Sequence, residues 1–207
     1  MLLSLNLRKM DCGIRMNNDI ESYAKEFNIP IMDSDGIEFL KELIIENNIS
    51  TILEIGSAIG YSAIAMASID ERITITTLER DTERYNIAVN NINNSVASNR
   101  ITIINKDALD DIKIDGTFDL IFLDAAKSKS IEFFTLYSPY LNDKGIIVTD
   151  NINFHGLVSN IDTIKNKRTR SLMKKIIKYK EFLNNNEDYT TEIVNIGDGI
   201  SLSRKKW

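Results

Sequence analysis

Apolar runs of four to seven residues alternate along this chain with longer stretches whose apolar positions recur every three or four residues. The first pattern predicts buried strands and the second amphipathic helices. Their regular alternation predicts repeated strand–helix units around a mainly parallel sheet. Asp19–Phe27 and Ser34–Asn47 read as helices, with Asp33 or Ser34 available to cap the second. Strands are expected at Thr51–Ile55, Ile73–Leu78, Ile101–Ile104, Phe118–Leu123 and Gly145–Thr149. Between them lie helical patterns at Tyr61–Ser68, from Asp81 to about Asn94, and at Ser130–Tyr140, with a short turn or helix after Asp107. A long basic helix over Arg168–Asn184 precedes Tyr189–Ile196 and Ile200–Arg204, two strands parted by Gly197-Asp198-Gly199. That spacing suits an antiparallel hairpin. The expected fold is therefore α/β and doubly wound, with a seven-stranded, mainly parallel sheet ending in an antiparallel hairpin. A hairpin appended in this way is unlike an ordinary dehydrogenase domain.

The 207 residues suit one domain, read here as N-terminal helices over 1–50 and a sheet-based body over 51–207. Only two prolines and nine glycines leave little room for a long linker. Met1–Leu7 is apolar but short, and Arg8 and Lys9 follow it, the reverse of a signal peptide's order. No stretch reaches the roughly 20 apolar residues of a membrane span. With the single cysteine, Cys12, excluding a disulfide framework, a cytoplasmic protein without membrane contact is expected. His155 is the only histidine, so zinc sites built on paired histidines or cysteines are excluded. Any metal must be held mainly by oxygen, which points to magnesium, calcium or manganese.

Net charge is −5, but Lys165 to Lys180 holds eight basic residues and no acidic one. The rest of the chain is then about −13, an asymmetry that asks for an anionic partner or a solvated helix face.

Three consecutive strand ends carry the signal for a nucleoside-type cofactor. The first runs through Glu54 into Gly56-Ser57-Ala58-Ile59-Gly60 and then a helix. Gly56 and Gly60 let the backbone pass close to a ligand. Their G-x-x-x-G spacing matches neither a dinucleotide fingerprint nor a phosphate-binding loop. Glu79, 23 residues after Gly56, ends the second strand, where an acid accepts both hydroxyls of a ribose. Asp107 ends the third, next to Ala108, where an adenine ring would lie. Each has a plainer role open to it: a tight turn, a solvated loop acid, a helix cap. Their coincidence at successive strand ends favours a ligand, because open α/β sheets bind along that edge.

Asp124 ends the fourth strand, and Asp150 with Asn151 ends the fifth. Two carboxylates and an amide oxygen make a partial shell for a hard six-coordinate cation, unless they merely form a turn and a cap. Lys127, three residues beyond Asp124, is placed to take a proton from a substrate hydroxyl, or else is a surface lysine.

These pieces together, EIGSAIGYS, LERD, KDAL, DLIFLDAAKSKS and VTDN, resemble the metal-dependent class I O-methyltransferases related to catechol and caffeoyl-CoA O-methyltransferases. The resemblance runs from about Ile31 to Arg204. It implies S-adenosylmethionine as cofactor, contacted by Met32, Ser62, Glu79 and Asp107, with Glu54, Gly56, Gly60, Ala108 and Asp124 completing the cofactor set. It implies magnesium or manganese on Asp124, Asp150 and Asn151, Lys127 and Asp124 as the catalytic pair, and a homodimer.

The C-terminal third, VTDNINFHGLV, the basic stretch and DYTTEIVNIGDGISLSRKK, resembles the bacterial tRNA 5-hydroxyuridine methyltransferases. That resemblance implies a tRNA anticodon stem-loop as partner. Lys165, Lys167, Arg168, Arg170 and Lys174 then become candidate phosphate contacts. Phe154 and His155 either line the substrate mouth or pack the loop. Two other readings stay open: methylation of a small catechol-like or coenzyme A-linked substrate, and a non-catalytic RNA-binding protein on the same scaffold.

Overall fold

The computed structural model describes residues 19–153 and 164–206, so Phe154, His155 and residues 1–16 lie outside the described residues. Seven strands form one sheet in the order β3-β2-β1-β4-β5-β7-β6. They are β1 (Thr51–Ile55), β2 (Thr74–Glu79), β3 (Ile101–Asn105), β4 (Phe118–Leu123), β5 (Leu141–Thr149), β6 (Tyr189–Val194) and β7 (Ile200–Lys205). Pairing is parallel for β1–β2, β2–β3 and β4–β5, and antiparallel for β5–β7 and β6–β7. This is the expected sheet with its terminal hairpin. No helix among the described residues is long and apolar enough to cross a membrane. The chain falls into two compact units, one up to Asp110 and one from Asp111.

In the first unit, α1 (19–26), α2 (Ser34–Glu46), α3 (Tyr61–Ala67) and α4 (Thr82–Asn93) accompany β1–β3. Asp33 caps α2 through a 2.7 Å bond from the Gly36 N–H, and Asp81 caps α4 by accepting from Arg84 N–H. Every residue of α3 is buried, which explains its small, apolar composition. The Tyr61 hydroxyl donates to Glu21 at 2.5 Å and ties α1 to α3. Burial and that bond push the tyrosine's pKa above its ordinary value, so it remains a donor. At the far end of the strands, Arg100 donates to the carbonyls of Ala67, Asp70 and Ile73 at 2.6–3.0 Å, fastening the end of α3 and the loop into β2.

In the second unit, α5 (Ser130–Tyr137) and α6 (Lys167–Asn184) pack against β4–β7. Phe134 of α5 meets Tyr179 and Phe182 of α6, and Tyr189, edge-on at 5.1–6.5 Å between ring centres. Met173, Ile176, Tyr179 and Leu183 form the buried stripe of α6 at helical spacing.

The structure corrects several boundaries. The fifth strand begins at Leu141 rather than Gly145, with a register irregularity against β4 between Phe118 and Leu120. Leu141 pairs with Phe118 and Ile146 with Leu120, so the turn-like Asn142-Asp143-Lys144 falls in that irregularity. The helix expected over Ser130–Tyr140 stops at Tyr137 and continues as a 3₁₀ turn over Ser138–Tyr140, because Pro139 has no N–H to continue the α-helical ladder. After Asp107 there is a turn and no helix.

Candidate active site

The first unit builds its strand ends from its own backbone and side chains. Gly56 and Gly60 both have positive φ, 98° and 83°, and Ala58 between them adopts 46°. Ala58 is the strained member, because its Cβ opposes this conformation. Its N–H is spent on Glu79, donating to Oε2 at 2.9 Å. The other oxygen, Oε1, accepts the Asp81 N–H at 2.9 Å. Glu79 is buried, and these bonds fix its carboxyl plane while leaving acceptor capacity on each oxygen for a vicinal diol. Asn91 Nδ2 donates to the Ile59 carbonyl at 2.9 Å and holds the glycine loop from α4. The backbone fit between loop and helix is close. A Cβ at Gly60 would stand 3.4 Å from Ala88 and Ile92.

Glu54 is wholly buried. It accepts the Ser62 hydroxyl on Oε1 and the Thr77 hydroxyl on Oε2, both at 2.5 Å. Ser62 is thus engaged as a donor within the protein, and its hydroxyl retains acceptor capacity. Thr77 is the direct neighbour of Glu54 in the β1–β2 register. Met32 is buried, packed on Gly36, where a Cβ would come within 2.7 Å of its methyl carbon. Asp107 closes its own turn by accepting from the Leu109 N–H at 3.0 Å, and pairs at 3.5 Å with the exposed Arg80. Ala108 beside it is buried.

In the second unit, Leu123 and Thr149 are register partners at the ends of β4 and β5, so Asp124 and Asp150 leave the sheet side by side. The Asp150 N–H donates to the Leu123 carbonyl at 3.3 Å, which continues the pairing past the strands. Asp150 is buried, and its Oδ1 accepts the Asn151 N–H at 2.7 Å. Asn151 has φ 56°, a left-handed conformation that asparagine tolerates better than most residues. Lys127 donates to Asp124 Oδ1 at 2.6 Å, and both side chains are mostly covered.

Asp124, Asp150 and Asn151 thus present hard oxygen donors on adjacent strand ends. That donor set fits magnesium or manganese with water or substrate oxygens completing the shell. No group of three or more acidic, histidine or cysteine side chains gathers among the described residues, so a third protein donor would have to be the Asn151 amide.

On α6, Asn166 caps the N-terminus by accepting from the Arg168 and Thr169 N–H groups. Lys165, Lys167, Arg168, Arg170 and Lys174 are all exposed. Lys180, of the same basic stretch, is turned inward to Asn153 Oδ1 at 2.9 Å. The sequence does not single out Thr77, Ala58, Asn91 or Asn153, and it places Lys180 only in the basic stretch. For Lys180 a signal existed, since it falls in step with Met173, Ile176 and Leu183 on the buried side.

Residues 16–206 match the family model described as O-methyltransferase. A caffeoyl-CoA O-methyltransferase of Stellaria longipes is 28% identical over 165 residues, 74% of this chain and 67% of the relative. A flavonoid 3',5'-methyltransferase of Vitis vinifera is 26% identical over 192 residues, 88% of this chain and 80% of the relative. Among solved structures, a candidate caffeoyl-CoA O-methyltransferase from Staphylococcus aureus is 38% identical, covers 92% of each chain and superposes with a TM-score of 0.88. The chain belongs to the O-methyltransferase family, enzymes that move a methyl group from S-adenosylmethionine to a substrate oxygen.

Proposed function

We propose that this O-methyltransferase acts on 5-hydroxyuridine at the tRNA wobble position, giving 5-methoxyuridine, with magnesium or manganese as its second cofactor. The observation that carries the substrate reading is the outer face of α6. Lys167, Arg170, Lys174 and Lys178 recur along it, all exposed, opposite the stripe of Met173, Ile176 and Leu183. Its first turn contains no acidic residue but Lys167, Arg168 and Arg170. Helix stability alone favours acids there, because the N-terminal end of the macrodipole is positive. Cations concentrated at that end suit an anionic partner, and RNA phosphates meet the requirement.

In this reading Glu79 orients the cofactor's ribose and the glycine loop shapes the space beside it. Asp124, Asp150 and Asn151 hold the cation, which when bound makes a chelated hydroxyl more acidic. A 5-hydroxyuracil offers its hydroxyl beside a ring carbonyl, as a catechol offers two vicinal oxygens. Lys127, in its neutral amine form, takes the hydroxyl proton at Nζ, and the resulting oxygen attacks the sulfonium methyl in line as the methyl–sulfur bond breaks and S-adenosylhomocysteine leaves.

A second reading, a small catechol-like or coenzyme A-linked substrate, is favoured by the names of the relatives. The two separate in a methyl-transfer assay with labelled cofactor, comparing tRNA that carries 5-hydroxyuridine with a simple catechol, each with and without chelator. Chelator-sensitive label in the tRNA alone is expected. Label in the catechol alone overturns the tRNA reading and keeps the enzyme class.

A further inference from the structure

Two neighbouring side chains on α6 reach the two ends of the turn that carries Asp150 and Asn151. The Tyr179 hydroxyl shares a 2.7 Å hydrogen bond with Thr149 Oγ1, and Lys180 Nζ donates to Asn153 Oδ1 at 2.9 Å. Thr149 directly precedes Asp150, and Asn153 lies two residues beyond Asn151, so the two bonds straddle both oxygen donors.

The turn between β6 and β7 grips the same segment. Ile152 N–H donates to the Gly199 carbonyl at 3.0 Å, and Asn153 N–H to the Asp198 carbonyl at 2.8 Å. Asn153 Nδ2 donates to Asn195 Oδ1 at 3.3 Å. The contact is too close for a side chain at position 199, since a Cβ there would lie 2.4 Å from Asn153 Nδ2. All of this surrounds Asn151, which sits in a left-handed conformation.

We propose that Lys180 is a positioning residue of the methyl-transfer reaction. Through Asn153 it holds the turn in the form that presents the Asp150 and Asn151 oxygens to the cation, a role that rests on the metal reading above. Its place in the basic stretch is therefore misleading. Lys167, Lys174 and Lys178 face solvent, whereas Lys180 gives its ammonium to a neutral amide in a partly buried position. Hydrogen bonds that orient a metal ligand typically change metal affinity by about 10- to 100-fold when removed, and Lys180 acts one link further out, through Asn153.

The test is Mn²⁺ binding to the full-length protein, followed by electron paramagnetic resonance, with no turnover required. Lys180→Met keeps the aliphatic stem and removes the donor. It is expected to weaken Mn²⁺ binding about ten-fold, while Lys180→Arg, which still donates, restores most of the affinity. Asn153→Ala probes the same bond from its other end and serves where one variant folds poorly. The double variant should bind no more weakly than the weaker single, because one interaction is being removed twice. Lys180→Met and Asn153→Ala proteins that bind Mn²⁺ as tightly as the wild type overturn the positioning role and leave the metal reading standing. A wild-type protein that binds no Mn²⁺ defeats the metal reading, and the positioning role falls with it.

Discussion

The two units solve opposite problems. In the first, the acids at the strand ends are already satisfied by the chain itself. Glu54 is closed between Ser62 and Thr77, and Glu79 is braced by two backbone N–H groups. In the second, Asp124 is held by the side chain of Lys127, and both are mostly covered. The first unit fixes its acids with its own hydroxyl and backbone donors. The second pairs opposite side-chain charges, Asp124 with Lys127, beside its strand ends.

That contrast separates activity from stability. Asp124→Ala should lower methyl transfer by about 10³-fold or more, because it removes a cation ligand and the partner of Lys127. Its urea midpoint should stay near that of the wild type. Near-normal turnover in a labelled-cofactor assay would remove Asp124 from the chemistry. Glu54→Ala should do the reverse and lose about 3 kcal/mol of stability, as two buried hydroxyls are left without their acceptor. An unchanged urea midpoint would show that the Glu54 cluster is not what holds β1, β2 and α3 together. The smallest effect is expected on the surface. Lys167→Ala, Arg168→Ala and Arg170→Ala combined should weaken tRNA binding about ten-fold at low salt and flatten its salt dependence, with cofactor affinity untouched. An unaltered salt slope in filter binding would return α6 to the role of a solvated helix.

The legibility of the chain in its sequence follows the same division. Strand and helix order could be read because each element has a clean period. The five strand-end positions could be read because glycines and acids punctuate apolar runs at Gly56, Glu79, Asp107, Asp124 and Asp150. Contacts across elements could not be read. Nothing local announces that Thr77 neighbours Glu54, since that depends on the β1–β2 register. The start of β5 was hidden because Asn142-Asp143-Lys144-Gly145 has turn chemistry and forms an irregularity between the Leu141 and Ile146 pairings with β4. Lys180 was grouped with its basic neighbours because charge was counted along the chain and not around the helix.

The most direct test of the division between the units is a crossed titration. S-adenosylhomocysteine and Mn²⁺ would each be titrated into the wild type, Glu79→Ala and Asp150→Ala. A cofactor-holding first unit and a cation-holding second unit predict that Glu79→Ala loses affinity for S-adenosylhomocysteine and keeps Mn²⁺, while Asp150→Ala does the opposite. Loss of both ligands in either variant, or of neither in both, would contradict that division.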